Sequence, residues 1–294
     1  MARALITDNH EAVPVGQRVF CSCLVGWTNA RRRSDKITIV GGVDTTVSLF
    51  VFIVGACVGS FLNVLIYRIP AGMSLVLPPS HCTHCGSRLH PRDLIPIVSF
   101  ILLRGRCRYC QAGIPWHYPL VEAATGILFT LVWLNYGYSW ATPAGWVFTA
   151  VLVGATATDI MNMIIPDEIL AAGIVAGVPF LLLDSFQGTL WGLLAGLAAG
   201  GFMLAIAVLS RGGMGGGDIK LAAFMGLFLG PKMVGLALFL AFLLGGAVSI
   251  ALIVSGKKGR KELIPFGPYL ALGGILALLR GEHIITWYLG LWGW

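Results

Sequence analysis

Charge is what this sequence has least of. Only 11% of its 294 residues are Asp, Glu, Lys or Arg, and 57% are hydrophobic, whereas an ordinary soluble domain carries about 25% charged residues. A water-soluble fold of this length would have too little polar surface to cover itself, so that class is excluded. Alternation of apolar and polar residues over strand-length segments is also missing, which argues against a membrane β-barrel. No basic stretch leads closely into an apolar run with a small-residue cleavage site, so no cleavable signal peptide is expected. A G-x-G-x-x-G loop after a strand is absent as well, and with it the usual nucleotide-binding turn. The net charge of +7 sits in loops beside apolar blocks. It reads as topogenic charge and lipid contact rather than as a nucleic-acid surface.

What is present is a series of long apolar blocks. Runs of about 18 or more apolar residues read as bilayer spans. They fall at about 46–67, 119–137, 142–158, 168–184, 189–209, 219–231, 233–255 and 264–280. The expected fold is an all-α polytopic membrane protein of about eight transmembrane helices. The segment at 219–231 is marginal in length, so a short or broken helix is expected there. Four regions follow: a mixed N-terminal extension (1–45), a first span (46–67), a polar loop (68–118) and a multi-span remainder (119–294). Within the loop, Leu94–Leu103 is apolar but too short to span, and is expected to pack in the loop or lie at the interface.

Positive charge orients the chain. Placing the 68–118 loop in the cytoplasm puts the loops at 159–167, 210–218 and 256–263 on the same side. Lys257, Lys258, Arg260, Lys261, Arg211 and Lys220 then lie in or beside them. The opposite loops carry only Lys232, in agreement with the positive-inside rule. The Arg31–Arg33 cluster opposes this arrangement.

Seven cysteines are present. Four form two C-x-x-C pairs, Cys82/Cys85 and Cys107/Cys110, separated by 21 residues. Paired knuckles of this kind suit tetrahedral zinc. In a loop with little core, the metal would hold the fold. Two disulfides or redox-active dithiols are the alternatives, and a cytoplasmic loop disfavours stable disulfides. Four protein ligands leave no open position, so the site is structural rather than catalytic, and His81, His84 and His90 are surplus to it. Cys57, inside an apolar block, is expected to be a small packing residue. Cys21 and Cys23 lie in the N-terminal extension.

Ionisable residues at span boundaries are functional candidates. Asp159 ends one apolar run, and Asp218 closes the glycine-rich run Gly212–Gly217. Two carboxylates suit amide hydrolysis: one takes a proton from water, the other donates a hydrogen bond to the scissile carbonyl, and the pair shares one proton. Glycines before Asp218, Gly215 and Gly217 among them, let a substrate backbone approach. The plainer roles are a solvated helix end for Asp159 and an N-cap for Asp218. Asp167, after Pro166, is expected to be an N-cap, and Asp184 a solvated outer-loop residue.

These pieces occur together and in order: GSFLNVLIYRIP at 59–70, the two cysteine knuckles, IPIVSFILLRGRC at 95–107, YPLVEAATG at 118–126, D-x6-PD at 159–167, GMGGGDIK at 213–220 and IPFGPYLALG at 264–273. Over about residues 48–280 the chain resembles the bacterial prepilin leader peptidases and N-methyltransferases of type IV pilus and type II secretion systems. The resemblance implies removal of a short basic leader from prepilins or pseudopilins, after a glycine, at the cytoplasmic face of the inner membrane. It also implies methylation of the new N-terminal amine by S-adenosylmethionine. Asp159 and Asp218 match the family's catalytic aspartates, with Asp218 in the G-x-G-D motif and Lys220 beside it, and the four cysteines match its zinc module. Glu122, in the YP-x-VE segment, becomes a candidate for binding substrate or supporting methylation; its plainer role is a first-turn acid favoured by the helix dipole. His117 stands where the family commonly has arginine. Two other classes use similar features: a transporter, whose intramembrane carboxylates line an ion path, and a non-enzymatic membrane scaffold that binds a partner through the cysteine module. The first would show internal repeats, and no convincing one is seen. The second would tolerate loss of either aspartate.

Overall fold

A computed structural model describes residues 44–210, 213–256 and 264–291. The Arg31–Arg33 cluster, Cys21, Cys23, Arg211 and the basic stretch at 257–261 lie outside them. The long elements of the described chain are helices, joined between the first and the third by an irregular loop: α1 (Thr45–Arg68), the one-turn α2 (Val98–Leu102), α3 (His117–Tyr136), α4 (Ala141–Asn162), α5 (Asp167–Asp184), α6 (Phe186–Leu209), α7 (Gly216–Val254) and α8 (Gly267–Gly290). Extended pairing among the described residues is limited to two isolated bridges, His81 with Arg88 and Arg106 with Gly113.

Each apolar block of the sequence lies on a helix. Among the described residues, six helices are long and apolar enough to cross a membrane: α1, α3, α4, α6, α7 and α8. The expected number of eight is not reached for two local reasons. The α5 helix has only 18 residues and carries Asp167, Glu168 and Asp184. The blocks at 219–231 and 233–255, counted together as α7, are two helices that meet at a kink at Gly230 (φ 73°, ψ 176°) just before Pro231, the break expected there. Proline has no N–H for the preceding turn, and glycine reaches that positive φ without a Cβ clash. The last helix starts at Gly267 and reaches Gly290, ten residues past the expected end.

Small residues set how closely the helices approach. A Cβ on Gly55 would stand 2.8 Å from Gly126 Cα, and one on Gly59 would stand 2.7 Å from Glu122 Cα. The backbones of α1 and α3 therefore touch, as membrane helices do where small residues line the interface. The main core lies among α4, α6, α7 and α8. Phe148, Leu152, Met203, Leu221, Met225, Leu229 and Leu270 are fully enclosed there, and Phe148 stacks on Phe224 at 5.8 Å. The outer surface is apolar too, with Phe50, Val175, Leu197 and Phe239 all exposed. A bundle buried in lipid needs no polar exterior, and its helices satisfy their own backbone groups. This is a multi-pass membrane protein. Cys57 is exposed on α1, so the expected packing role is corrected: it faces outward with the other apolar residues of that surface.

Candidate functional site

Three helix ends meet at one end of the bundle. Asp159 lies near the C-terminus of α4, Asp218 in the first turn of α7, and Gly267 opens α8. Both aspartates are buried, and the charge of Asp159 acts on Asp218. The structure thus brings together two carboxylates 59 positions apart in the chain. Asp159 Oδ2 accepts a hydrogen bond from the Gly267 N–H at 2.8 Å. A Cβ at Gly267 would lie 2.7 Å from that oxygen, so only glycine lets the amide come this close. The only sign of this third partner in the sequence is the segment IPFGPYLALG, whose glycine and proline mark a helix start.

Asp218 is the third residue of α7, and Gly215 is the N-cap. The N-cap role considered for Asp218 is therefore filled by a neighbour. Gly217 packs so tightly that a Cβ there would lie 2.9 Å from Ile165 Cβ. That contact joins the segment after Asp159 to the first turn of α7, which carries Asp218. Asp167 is corrected in the same way. Pro166 is the N-cap of α5, and Asp167 instead binds Lys220, both of its oxygens 2.7 Å from Nζ. This exposed ion pair again links the two aspartate-bearing segments. The hydroxyl of Thr158, fully buried beside Asp159, donates back to Gly154 O at 3.0 Å. Asp184 ends α5 and is exposed, as expected of a solvated residue, and it also has an interaction partner.

The loop between α1 and α3 holds the second constellation. The Sγ atoms of Cys82, Cys85, Cys107 and Cys110 all lie within 4.8 Å of one another. Cys82 and Cys110 Sγ are 3.8 Å apart, far beyond the roughly 2.05 Å of a disulfide. Four sulfurs about 2.3 Å from a central zinc would be separated by about 3.8 Å. The donor set and spacing therefore fit a tetrahedral metal. Each knuckle closes on itself: Cys82 N–H donates to Ser87 O, and Cys107 N–H donates to Ala112 O. Gly86 and Gln111, just past the second cysteine of each pair, take positive φ. Ser87 hydrogen bonds pull Cys85 down to about 6. Cys110 moves the other way: an Ala112 hydrogen bond lowers it, but burial and the adjacent thiols push it up to about 12. Crowded thiols lose their protons unequally, and a divalent cation would hold all four as thiolates. Among the described residues, His81, His84 and His90 join no such cluster.

The buried Asp93 ties this module together. It accepts from Arg108 Nε at 2.7 Å and from the Tyr109 hydroxyl at 3.2 Å. Burial raises its carboxyl, but Arg108, the His90 amide and Tyr109 outweigh this and hold it below the usual range. The apolar stretch at 94–103 forms the short α2, with Leu94, Ile95, Val98, Ile101 and Leu102 exposed. Glu122 is buried one turn beyond the start of α3, whose first turn holds no acid. The first-turn dipole role is thereby corrected. Its Oε2 accepts from the Ile97 N–H at 2.7 Å.

The profile of the bacterial peptidase A24 N-terminal domain matches residues 53–136, and that of the type IV leader peptidase family matches residues 146–250. This chain belongs to the type IV leader peptidase family. A protein of Bacillus subtilis named prepilin leader peptidase/N-methyltransferase is 38% identical over 81% of this chain and 96% of its own length. Proteins of the same name from Aeromonas hydrophila and Pseudomonas aeruginosa are 36% and 33% identical, over 81% and 82% of this chain and 92% and 93% of their own. No solved structure matches. The first family profile spans the cysteine module with α1 and α3, and the second holds both Asp159 and Asp218.

Proposed function

We propose that this chain cleaves the leader peptide from prepilins or pseudopilins through Asp159 and Asp218, and methylates the amine it exposes. The observation that carries the peptidase reading is the meeting of two buried aspartates at one end of the bundle, in a member of a leader peptidase family. Two like charges this close cannot both ionise freely, so the pair holds one proton between them. The ionised carboxylate takes a proton from water as the water oxygen bonds to the scissile carbonyl carbon. The protonated one donates a hydrogen bond to the carbonyl oxygen. The carbon–nitrogen bond then breaks, and the leaving amine takes a proton from the dyad. Gly215 leaves the Asp218 carboxyl uncrowded, Gly217 lets the two aspartate-bearing segments close on each other, and Lys220 ties them through Asp167.

Zinc held by Cys82, Cys85, Cys107 and Cys110 would fix the loop module and, with four protein ligands, take no part in the hydrolysis. S-adenosylmethionine, when bound, supplies the methyl group. The site faces the cytoplasm of the inner membrane, a reading supported by the bias of Lys and Arg toward that end and by a substrate made in the cytoplasm. Residues 46–67, 68–118 and 119–294 then act as anchor, methyl-transfer-associated module and peptidase domain. Residues 1–45 carry no assigned role.

The test is co-expression with a type IV prepilin, followed by intact mass of the product. Wild type should remove the leader and leave a product one methyl group heavier. Asp159→Asn and Asp218→Asn should each lower cleavage by at least about 1,000-fold, since each role in such a dyad is indispensable. Cleavage by either variant at the wild-type rate would remove the dyad.

A further inference from the structure

A second set of buried polar groups lies between α1 and α3, apart from the aspartates. Glu122 and Asn63 are both more than nine-tenths buried, and Asn63 is only 4% exposed. Asn63 Nδ2 donates to Tyr118 O at 3.1 Å, while Asn63 Oδ1 has no hydrogen-bond partner. Ser60, three residues before Asn63 on the same face of α1, faces the Glu122 carboxylate. Tyr118 and Glu122 are one turn apart on α3, and side chains on a helix lean toward its N-terminus. Ser60, Asn63, Tyr118 and Glu122 are therefore mutual neighbours, held in place by the backbone contact at Gly59.

The acceptors outnumber the donors. A carboxylate offers about four acceptor positions. Glu122 has one donor at hydrogen-bond distance, the Ile97 N–H, and the Ser60 hydroxyl faces it as a second. Asn63 Oδ1 adds an empty acceptor, and a buried acceptor without a partner is costly. A ligand that completes this set must bring several N–H donors and favour a negative neighbour, which describes a primary amine or ammonium. The Ile97 turn that covers Glu122 sits at φ 63° and ψ −50°, a conformation a β-branched residue seldom adopts. Strain of this kind often marks a functional site.

The place also suits an amine. Leu62, Ile66 and Val121 pack with Val153 and Ala157 of α4, two to six residues before Asp159, so both sites lie at the same end of the bundle. An N-terminus freed at the aspartates reaches Glu122 without crossing the membrane. From this geometry we infer that Ser60, Asn63 and Glu122 form a binding site for the new N-terminal amine of the cleaved substrate. The inference rests on the methyl-transfer reading above. Glu122 accepts the proton that leaves the ammonium. S-adenosylmethionine, when bound, would supply the methyl group to the lone pair so freed, with the carbon–sulfur electron pair staying on sulfur.

The test needs no methyl donor. The full chain in nanodiscs is titrated with a fluorescent peptide matching a mature pilin N-terminus, and with its N-acetylated twin. Wild type should bind the free amine at least tenfold more tightly than the twin. Glu122→Gln and Asn63→Leu should each erase that preference while leaving the acetylated peptide's affinity within about twofold. Glu122→Asp should keep part of it and shows that the site is still folded. Equal binding of both peptides by wild type, or a full preference in both Glu122→Gln and Asn63→Leu, overturns the inference. A parallel intact-mass assay asks whether wild type methylates at all. If it does while the amine preference is absent, the site assignment alone falls; if it does not, the methyl-transfer reading and this inference fall together.

Discussion

At the scale of single residues, position in the chain and position in space give different information. Asp159 and Asp218 are visible in the sequence as acids at the edges of apolar runs, where a charge is too costly to keep without use. Gly267 is not, because a glycine's value lies in what its missing Cβ would touch. Gly267→Ala should push the Asp159 carboxyl off the α8 amide and lower leader cleavage by about 100-fold, the scale of a misplacement near 1 Å. The check is cleavage kinetics, with far-ultraviolet circular dichroism showing the helices intact. Asp93 allows a prediction with a definite sign. Its carboxyl is held below the usual range, so its contribution to module stability is complete above the unfolded value of about 3.9. That contribution is lost as pH falls through the lower folded value. Asp93→Asn should cost about 1 kcal/mol at neutral pH, limited because Arg108 is partly exposed. Urea unfolding of the module at pH 7 measures it, and the difference from wild type should shrink below pH 3.

At the scale of elements, the cysteine module and the broken helix carry the strongest expectations. Knuckles that hold their cysteines by local hydrogen bonds still bring four sulfurs into close contact. Without a cation, four adjacent thiolates repel one another. Removing the metal with a strong chelator should loosen the loop at 68–116 and raise its proteolysis at least tenfold, while leaving the helical signal of the bundle unchanged. Zinc should restore protection, and restoration should weaken below about pH 6 as protons compete for the thiolates. In α7, Gly230→Ala forces a side chain into positive φ, at a cost of about 1–3 kcal/mol. A lower melting temperature in detergent is the expected result.

At the scale of the whole molecule, the helix ends alternate so that the cysteine loop, Asp159, Asp218 and Gly267 share one end. Single-cysteine probes introduced at Arg88 and Ser255 should label from one side of the membrane. A probe at Tyr138, between α3 and α4, should label from the other. Opposite labelling of Arg88 and Ser255 would break the proposed topology.

The class of the molecule follows from composition and block length alone. Apolar blocks of spanning length exclude a soluble fold whatever their packing, because the bilayer sets the length of each element. Local spacing also made the cysteine knuckles legible, since two residues between cysteines already place them on one turn. Which residues meet across the bundle is a matter of packing. Gly267 reaches Asp159 across 108 positions, and Lys220 reaches Asp167 across 53. Glu122 left its expected first-turn role because the helix begins at His117 and Ile97 folds back onto its carboxylate. Asp167 lost its cap to Pro166, and Cys57 turned outward. Periodicity cannot foresee such partners. They depend on how closely backbones approach, which is set by missing side chains at Gly55, Gly59 and Gly267 rather than by the residues that finally touch.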